Sequence, residues 1–100
     1  MTIKIDMNNP EFQSSLFALE KIEQMSLIKT LKKISHMSWN DLYTDKGIRW
    51  ESISNPSTKP TRHIYSFRFS GKYRGLAYRD GDILCLLTLH PDHDGAYGKK

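Results

Sequence analysis

Two histidines, two aspartates and a tyrosine stand close together in the segment HPDHDGAY, residues 90–97. An imidazole can give or take a proton near neutral pH, so His90 and His93 are candidates for acid–base chemistry. Tyr97 can stack on an unpaired nucleic-acid base. Each residue also has a plain structural alternative, because the histidines can be ordinary loop residues and Tyr97 can simply pack the segment onto the fold.

A metal site is the other chemistry to weigh for this segment, because histidine and aspartate are common ligands. All four candidate ligands fall within residues 90–94, with Pro91 among them, and the sequence offers no second cluster to complete a shell. We therefore expect neither a metal nor another cofactor.

Positive charge is concentrated in the second part of the chain. Up to residue 58, seven Lys and Arg balance seven Asp and Glu, whereas residues 59–100 hold eight Lys and Arg against four Asp. This asymmetry favours a polyanionic partner, either nucleic acid or an acidic protein segment, although a solvated surface is an equally simple explanation. The candidates for RNA contact are Arg62, Arg68, Lys72, Lys99 and Lys100.

An antiparallel meander is the element that must position these residues. The segments RHIYSFRF, YRGLAYR and DILCLLTLH are typical of strands, and SGK and DG are typical of the turns between them. The alternating Tyr65, Phe67 and Phe69 are most simply core residues.

The pair Asp80-Gly81 predicts a two-residue hairpin turn, because both positions of such a turn favour positive φ. That turn would place Arg79 opposite Asp82 and Arg74 opposite Leu87. An arginine on the same face as Leu76, Tyr78, Ile83 and Cys85 needs a reason, and Gly75 can supply one by marking a bulge. Periodicity leaves open which face of the sheet meets the helices.

The first half of the chain predicts a short strand followed by helices. TIKIDM alternates as a strand does, and Asn9 with Pro10 is a good start for a helix. One apolar stripe runs through Phe12, Leu16, Leu19 and either Ile22 or Glu23, and a second through Leu27, Ile28, Leu31 and Ile34. Ser26 could separate two helices, or one long bent helix could span both stripes. SWNDLY predicts a capped helical turn, and IRWESI a short strand or extended stretch.

Size and cysteine content fit a small domain in a reducing cytoplasm. One hundred residues allow one modest core, so we expect a single domain over residues 1–100. Cys85 is the only cysteine and lies in an apolar run, which excludes a disulfide framework. No apolar run approaches the roughly 20 residues that a spanning helix needs, and we expect no membrane partner. The expected fold class is α+β, with two N-terminal helices packed on a small, mainly antiparallel sheet.

The third strand of the meander must bring its end back beside the start of the second. Arg68, Lys72 and Arg74 would then meet His90 and His93 at one end of the sheet. RNA cleavage without a metal needs groups of these kinds: a base for the 2′-OH, cations for the charge on phosphorus, and an acid for the 5′-oxygen.

The stretch FRFSGKYRGLAYRDGDILCLLTLHPDHDGAY resembles the RelE/ParE superfamily of bacterial toxin–antitoxin toxins. The resemblance lies in Tyr73-Arg74 at the start of the middle strand, the Asp-Gly hairpin, and His93 four residues before the aromatic Tyr97, as in YafQ-like members. It implies a toxin that enters the ribosome and cuts mRNA without a metal, and that a cognate antitoxin neutralises. By the same match Arg74 would stabilise the transition state, His93 would be acid or base, and Tyr97 would stack on or orient the nucleotides.

Two other functions fit the same fold. A ParE-like gyrase inhibitor would be a binding protein, although such members generally lack the histidine and tyrosine of HDGAY. An inert RNA- or protein-binding member would have neither activity. Residues 38–53, with two tryptophans, make a longer connection than the family leads us to expect, and they serve either as packing or as a surface for the antitoxin.

Overall fold

The structure is a computed structural model that describes residues 2–53 and 63–91. These residues contain three helices and five strands. Along the chain these are β1 (Lys4–Asp6), α1 (Pro10–Phe17), α2 (Lys21–Ser35), α3 (Trp39–Thr44), β2 (Glu51–Ile53), β3 (Ile64–Ser70), β4 (Tyr73–Asp80) and β5 (Ile83–Pro91). Within those ranges no helix is both long and apolar enough to cross a membrane.

The five strands form one sheet in the order β1-β5-β4-β3-β2. Strands β2 to β5 are antiparallel to their neighbours, and β1 joins the edge parallel to β5. The sequence-based predictions of an α+β fold, of a three-strand meander and of a short N-terminal strand are confirmed.

The first helix begins where the sequence predicts. The Asn9 side chain accepts a hydrogen bond from the Glu11 N–H at 2.8 Å, and Pro10 fills the first helical position. The break between α1 and α2, however, falls at residues 18–20, so neither alternative, a break at Ser26 or one long bent helix, is correct. The Leu19 N–H bonds the Leu16 carbonyl at 3.1 Å, and the Gln24 side chain bonds the same carbonyl at 3.0 Å. These bonds close the turn before Ser26 is reached.

Hydrogen bonds at its N-terminus stabilise the third helix. The Asp41 N–H donates to Ser38 Oγ at 3.1 Å and the Ser38 N–H to Asp41 Oδ2 at 3.4 Å, which is the predicted capping box.

Beyond the helix, Asp45 accepts a hydrogen bond from the Ile48 N–H at 2.8 Å and pairs with Lys33 at 3.3 Å. The backbone hydrogen bond from Ile48, and then Lys33, lower the pKa of Asp45 below its usual 3.8 despite partial burial.

The hydrophobic core lies between the helices and one face of the sheet. Phe67 from β3, Leu84 from β5 and Leu27 from α2 are fully buried there. Trp39 and Trp50 join the same core, so the packing alternative for residues 38–53 holds for both tryptophans. Phe69 is also buried and Tyr65 packs against the cluster, as their alternation predicts.

The hairpin between β4 and β5 differs from the sequence-based prediction. Asp80 pairs with Ile83, so the turn residues are Gly81 and Asp82, and within this turn positive φ is found at Gly81 alone, at 63°. A glycine at the first central position is typical of a type II′ turn, whereas the Asp-Gly prediction assumed type I′.

A bulge then corrects the predicted register further along the hairpin. The pairing slips by one residue between Leu76 and Ala77, which leaves Leu87 of β5 without a partner on β4. As a result Arg74 lies opposite His90, and the predicted pairing of Arg74 with Leu87 is wrong. Gly75 pairs regularly with Leu89 and with Phe67, so the bulge expected at Gly75 is not found there.

Candidate nucleic-acid interface

The face of the sheet that points away from the helices carries Ser66, Arg68 and Arg74 beside apolar residues such as Leu76. Successive residues of a strand point to opposite faces, so burial of Phe67 and Ala77 against the helices directs their neighbours the other way. Arg68 on β3 and Arg74 on β4 therefore belong to this second face, which we call the arginine face. Arg74 can share a face with Leu76 because the helices do not cover that face.

Arg68, Arg74 and His90 form one row across the arginine face. In the register of the sheet, Arg68 of β3 lies opposite Arg74 of β4, and Arg74 lies opposite His90 of β5. With neighbouring strands about 4.8 Å apart, the row spans roughly 10 Å of backbone. The expected meeting of the end of the third strand with the start of the second is confirmed.

Arg74 is held in place by one residue of β3 and one of β2. Its Nη2 donates to Ser66 Oγ at 2.6 Å and to Glu51 Oε1 at 3.4 Å. Ser66 is buried, and Glu51 also pairs with Arg49 at 3.5 Å. A guanidinium fixed in this way presents its planar fork in a set direction, which suits recognition of a phosphate.

The sequence did not single out Glu51 and Ser66 as site residues. The pairing of Glu51 with Ser66 brings them beside Arg74, but residues between 53 and 64 connect their strands, so local alternation cannot give this register. The available signal was an acidic residue inside the strand-like IRWESI, on a chain whose second part is basic.

His90 stands at the outer end of the row. It is exposed, and its Nε2 lies 3.1 Å from Thr88 Oγ1, with donor and acceptor set by the tautomer. An exposed imidazole can exchange protons with a bound substrate or with water.

The remaining predicted residues fall in different places. Lys72 is exposed in the turn between β3 and β4, at the same end of the sheet as His90. The predictions for Arg62, His93, Tyr97, Lys99 and Lys100 lie outside the described residues.

The other arginine of β4 has a different environment. Arg79 lies over the Trp39 ring at 4.2 Å and donates from Nη1 to the Tyr43 hydroxyl at 3.1 Å. Burial, and then a hydrogen bond with Tyr43, raise the pKa of the nearby Tyr65. Arg79 thus belongs to an aromatic cluster on the helix side and takes no part in the row.

The chain resembles a bacterial toxin in its fold. The sequence matches neither a protein-family model nor a curated protein. Among solved structures, a copper-bound mutant toxin from Helicobacter pylori is similar with a TM-score of 0.53 and 17% sequence identity, over 90% of this chain and 94% of that one. The likeness covers nearly the whole of both chains, and at this identity it establishes a common α+β fold.

Proposed function

We propose that this chain is the toxin of a toxin–antitoxin pair of the RelE/ParE superfamily, and that it arrests translation by cutting mRNA at the ribosome. The observation that carries the proposal is the row of Arg68, Arg74 and His90 on the arginine face. The fold shared with the Helicobacter pylori toxin supports it.

The proposed reaction is a transesterification that needs no metal. The 2′-oxygen attacks the neighbouring phosphorus while a base takes its proton, and the bond from phosphorus to the 5′-oxygen breaks. An acid protonates the departing 5′-oxygen, which leaves a 2′,3′-cyclic phosphate and a 5′-hydroxyl.

Arg74 is the residue proposed to bear the phosphate charge. Its hydrogen bond to Glu51, at 3.4 Å, is longer than its bond to Ser66, at 2.6 Å, so a phosphate can compete for the guanidinium while Ser66 keeps it aimed. Glu51 also adds a carboxylate, a second kind of proton acceptor, beside the same group.

The acid–base roles are proposed for the histidines. His90 lies beside Arg74 in the sheet register, and His93 has the position that the superfamily resemblance assigns to acid or base. Tyr97 is proposed to stack on the nucleotides, and Arg68 and Lys72, with Arg62, Lys99 and Lys100, to contact phosphates.

The partners proposed are the ribosome with its mRNA, and a cognate antitoxin. The excess of eight Lys and Arg over four Asp in residues 59–100 suits both an RNA and an acidic protein segment.

The test is induction of the wild type, His93→Ala and the matched control His63→Ala, with growth and primer extension on a reporter mRNA as readouts. We expect arrest with in-frame cuts, lost in His93→Ala and kept in His63→Ala, because His63 bonds Ser52 away from the row. Arrest with DNA-damage signalling and no cuts would replace the proposal by gyrase inhibition. Neither arrest nor cuts from the wild type would indicate an inert member of the fold.

A further inference from the structure

Four large apolar side chains lie exposed on the helical half of the molecule. Their exposed fractions are 74% for Phe17, 75% for Ile22, 59% for Met25 and 50% for Ile28. The second apolar stripe of the sequence places Ile28 towards the core, and for this residue the prediction is wrong. The first stripe left Ile22 and Glu23 as alternatives, and Ile22 is exposed. Their exposure calls for another explanation than core packing.

Three of these residues line one side of α2. Ile22, Met25 and Ile28 are spaced by three, so they follow one another along the helix surface. The buried residues of the same helix, Leu27 and Leu31, lie on its other side. The exposed apolar strip is therefore continuous over two turns.

The same side of α2 continues with positive charge. Lys29 follows Met25 by four residues and Lys32 follows Ile28 by four, which keeps both lysines in line with the strip. Within residues 2–53 and 63–91 neither lysine forms an ion pair, whereas Lys33 pairs with Asp45. We call Ile22, Met25, Ile28, Lys29 and Lys32 the α2 outer face.

We propose that the α2 outer face is the docking surface for an acidic amphipathic helix of a partner protein. The apolar strip fits the apolar stripe of such a helix, and the two lysines fit its acidic flank.

The pattern of charge selects this occupant over two others. A second copy of the chain would offer the same apolar strip and the same two lysines, and the α2 outer face contains no acidic side chain to pair with them. An RNA backbone would satisfy Lys29 and Lys32, but it would leave the apolar side chains exposed to water.

Docking here would leave the arginine face open. Leu27 and Leu31 pack α2 against one face of the sheet, and Arg74 lies on the opposite face. The proposal does not rest on the proposed function, and it is tested by binding alone.

The test uses the full chain and a labelled synthetic helical peptide with leucines at positions three and four apart and glutamates beside them. A matched peptide carries lysine at every glutamate position, and binding is followed by fluorescence anisotropy. We expect the acidic peptide to bind at least tenfold more tightly than the basic one. Met25→Ser should weaken it at least tenfold, and Lys46→Glu, a charge change outside the α2 outer face, should change it less than twofold.

A charge exchange makes the result specific. The double variant Lys29→Glu, Lys32→Glu should lose the acidic peptide and gain the basic one. All changed side chains are exposed, and thermal melting followed by circular dichroism checks that each variant folds.

Several results would overturn the proposal. These are absence of peptide binding, equal binding of both peptides, and failure of the charge exchange. Sedimentation showing a dimer that Ile22→Ser dissociates would assign the face to a second copy. Binding to phosphatidylglycerol vesicles in place of the peptide would assign it to a membrane surface.

Discussion

The two faces of the sheet are built from the same strands and serve different ends. On β4, Gly75 and Ala77 turn towards the helices, where Phe67 is fully buried. Their neighbour Arg74 turns the other way, towards Ser66 and Glu51. The face towards the helices stabilises the fold by burying apolar side chains away from water. The other face holds a charged side chain in a fixed position at the protein surface.

The comparison teaches that environment, more than residue type, separates the two arginines of β4. Arg79 packs on Trp39 and Tyr43 and contributes to structure. Arg74 lies in a polar row with Arg68 and His90, and its guanidinium is held by Ser66 and Glu51. Equal effects of matched substitutions on the two faces would contradict this distinction.

The largest effect is expected from the covered face. Phe67→Ala should lower the free energy of unfolding by about 3–5 kcal/mol, because it leaves a cavity in the core. Leu76→Ala, on the half-buried arginine face, should cost less than about 2 kcal/mol. Urea unfolding of both variants measures the difference, and equal losses would show that the faces are packed alike.

Gly75 sharpens the comparison, because its missing side chain points at the core. A Cβ there would overlap the ring of Phe67 and crowd Leu89 at 3.2 Å. Gly75→Ala should therefore cost about 1–3 kcal/mol in urea unfolding. In a Phe67→Leu background the same change should cost less than about 1 kcal/mol, because the ring is gone. An unchanged penalty in that background would place the strain elsewhere.

Asp45 tests the loop through which the chain passes from the helices to the arginine face. Asp45→Ala should cost about 1–2 kcal/mol by removing the acceptor for the Ile48 N–H. Asp45→Asn keeps an acceptor and should cost about 0.5 kcal/mol, through loss of the exposed pair with Lys33.

The pH dependence of the Asp45 variants has a definite sign. Because folding lowers the pKa of Asp45 from 3.8, its charge stabilises the fold above that value, and the stabilisation is lost as the pH falls through the folded pKa. The advantage of the wild type over Asp45→Asn should therefore be present at neutral pH and shrink in acid. An advantage that grows on acidification would contradict the assigned contacts.

The smallest effect concerns salt. If Arg68 neutralises one RNA phosphate, Arg68→Ala should reduce the slope of log binding constant against log salt by about 0.7 for single-stranded RNA. Arg79→Ala should leave that slope unchanged, since its guanidinium is engaged with Trp39 and Tyr43. Equal changes from both variants would spread the binding over the whole surface.

Local signals in the sequence predicted the elements well. Asn9 and Ser38 marked helix starts because capping depends on residues within three positions. The position of the break between α1 and α2 was not predicted, because its hydrogen bonds come from Leu19 and Gln24, whose types carry no breaking signal.

Register was harder to predict than the elements. The identity of the turn residues, Gly81-Asp82, and the slip between Leu76 and Ala77 both alter which residues face each other. Moving the turn by one residue shifts the pairing by two residues, and the slip adds one more, so the partner of Arg74 is His90 and not Leu87. The link from Arg74 to Glu51 depends on pairing across residues 54–62, which no local pattern encodes.

The most direct test of the arginine face compares two arginines of one strand. Cleavage of a reporter mRNA in a translating extract would be measured for the wild type, Arg74→Ala and Arg79→Ala at equal concentrations of folded protein. We expect Arg74→Ala to lower the cleavage rate by about 100-fold or more, and Arg79→Ala to retain it within about threefold. Equal losses in the two variants, or full cleavage by Arg74→Ala, would contradict the assignment of RNA chemistry to the arginine face.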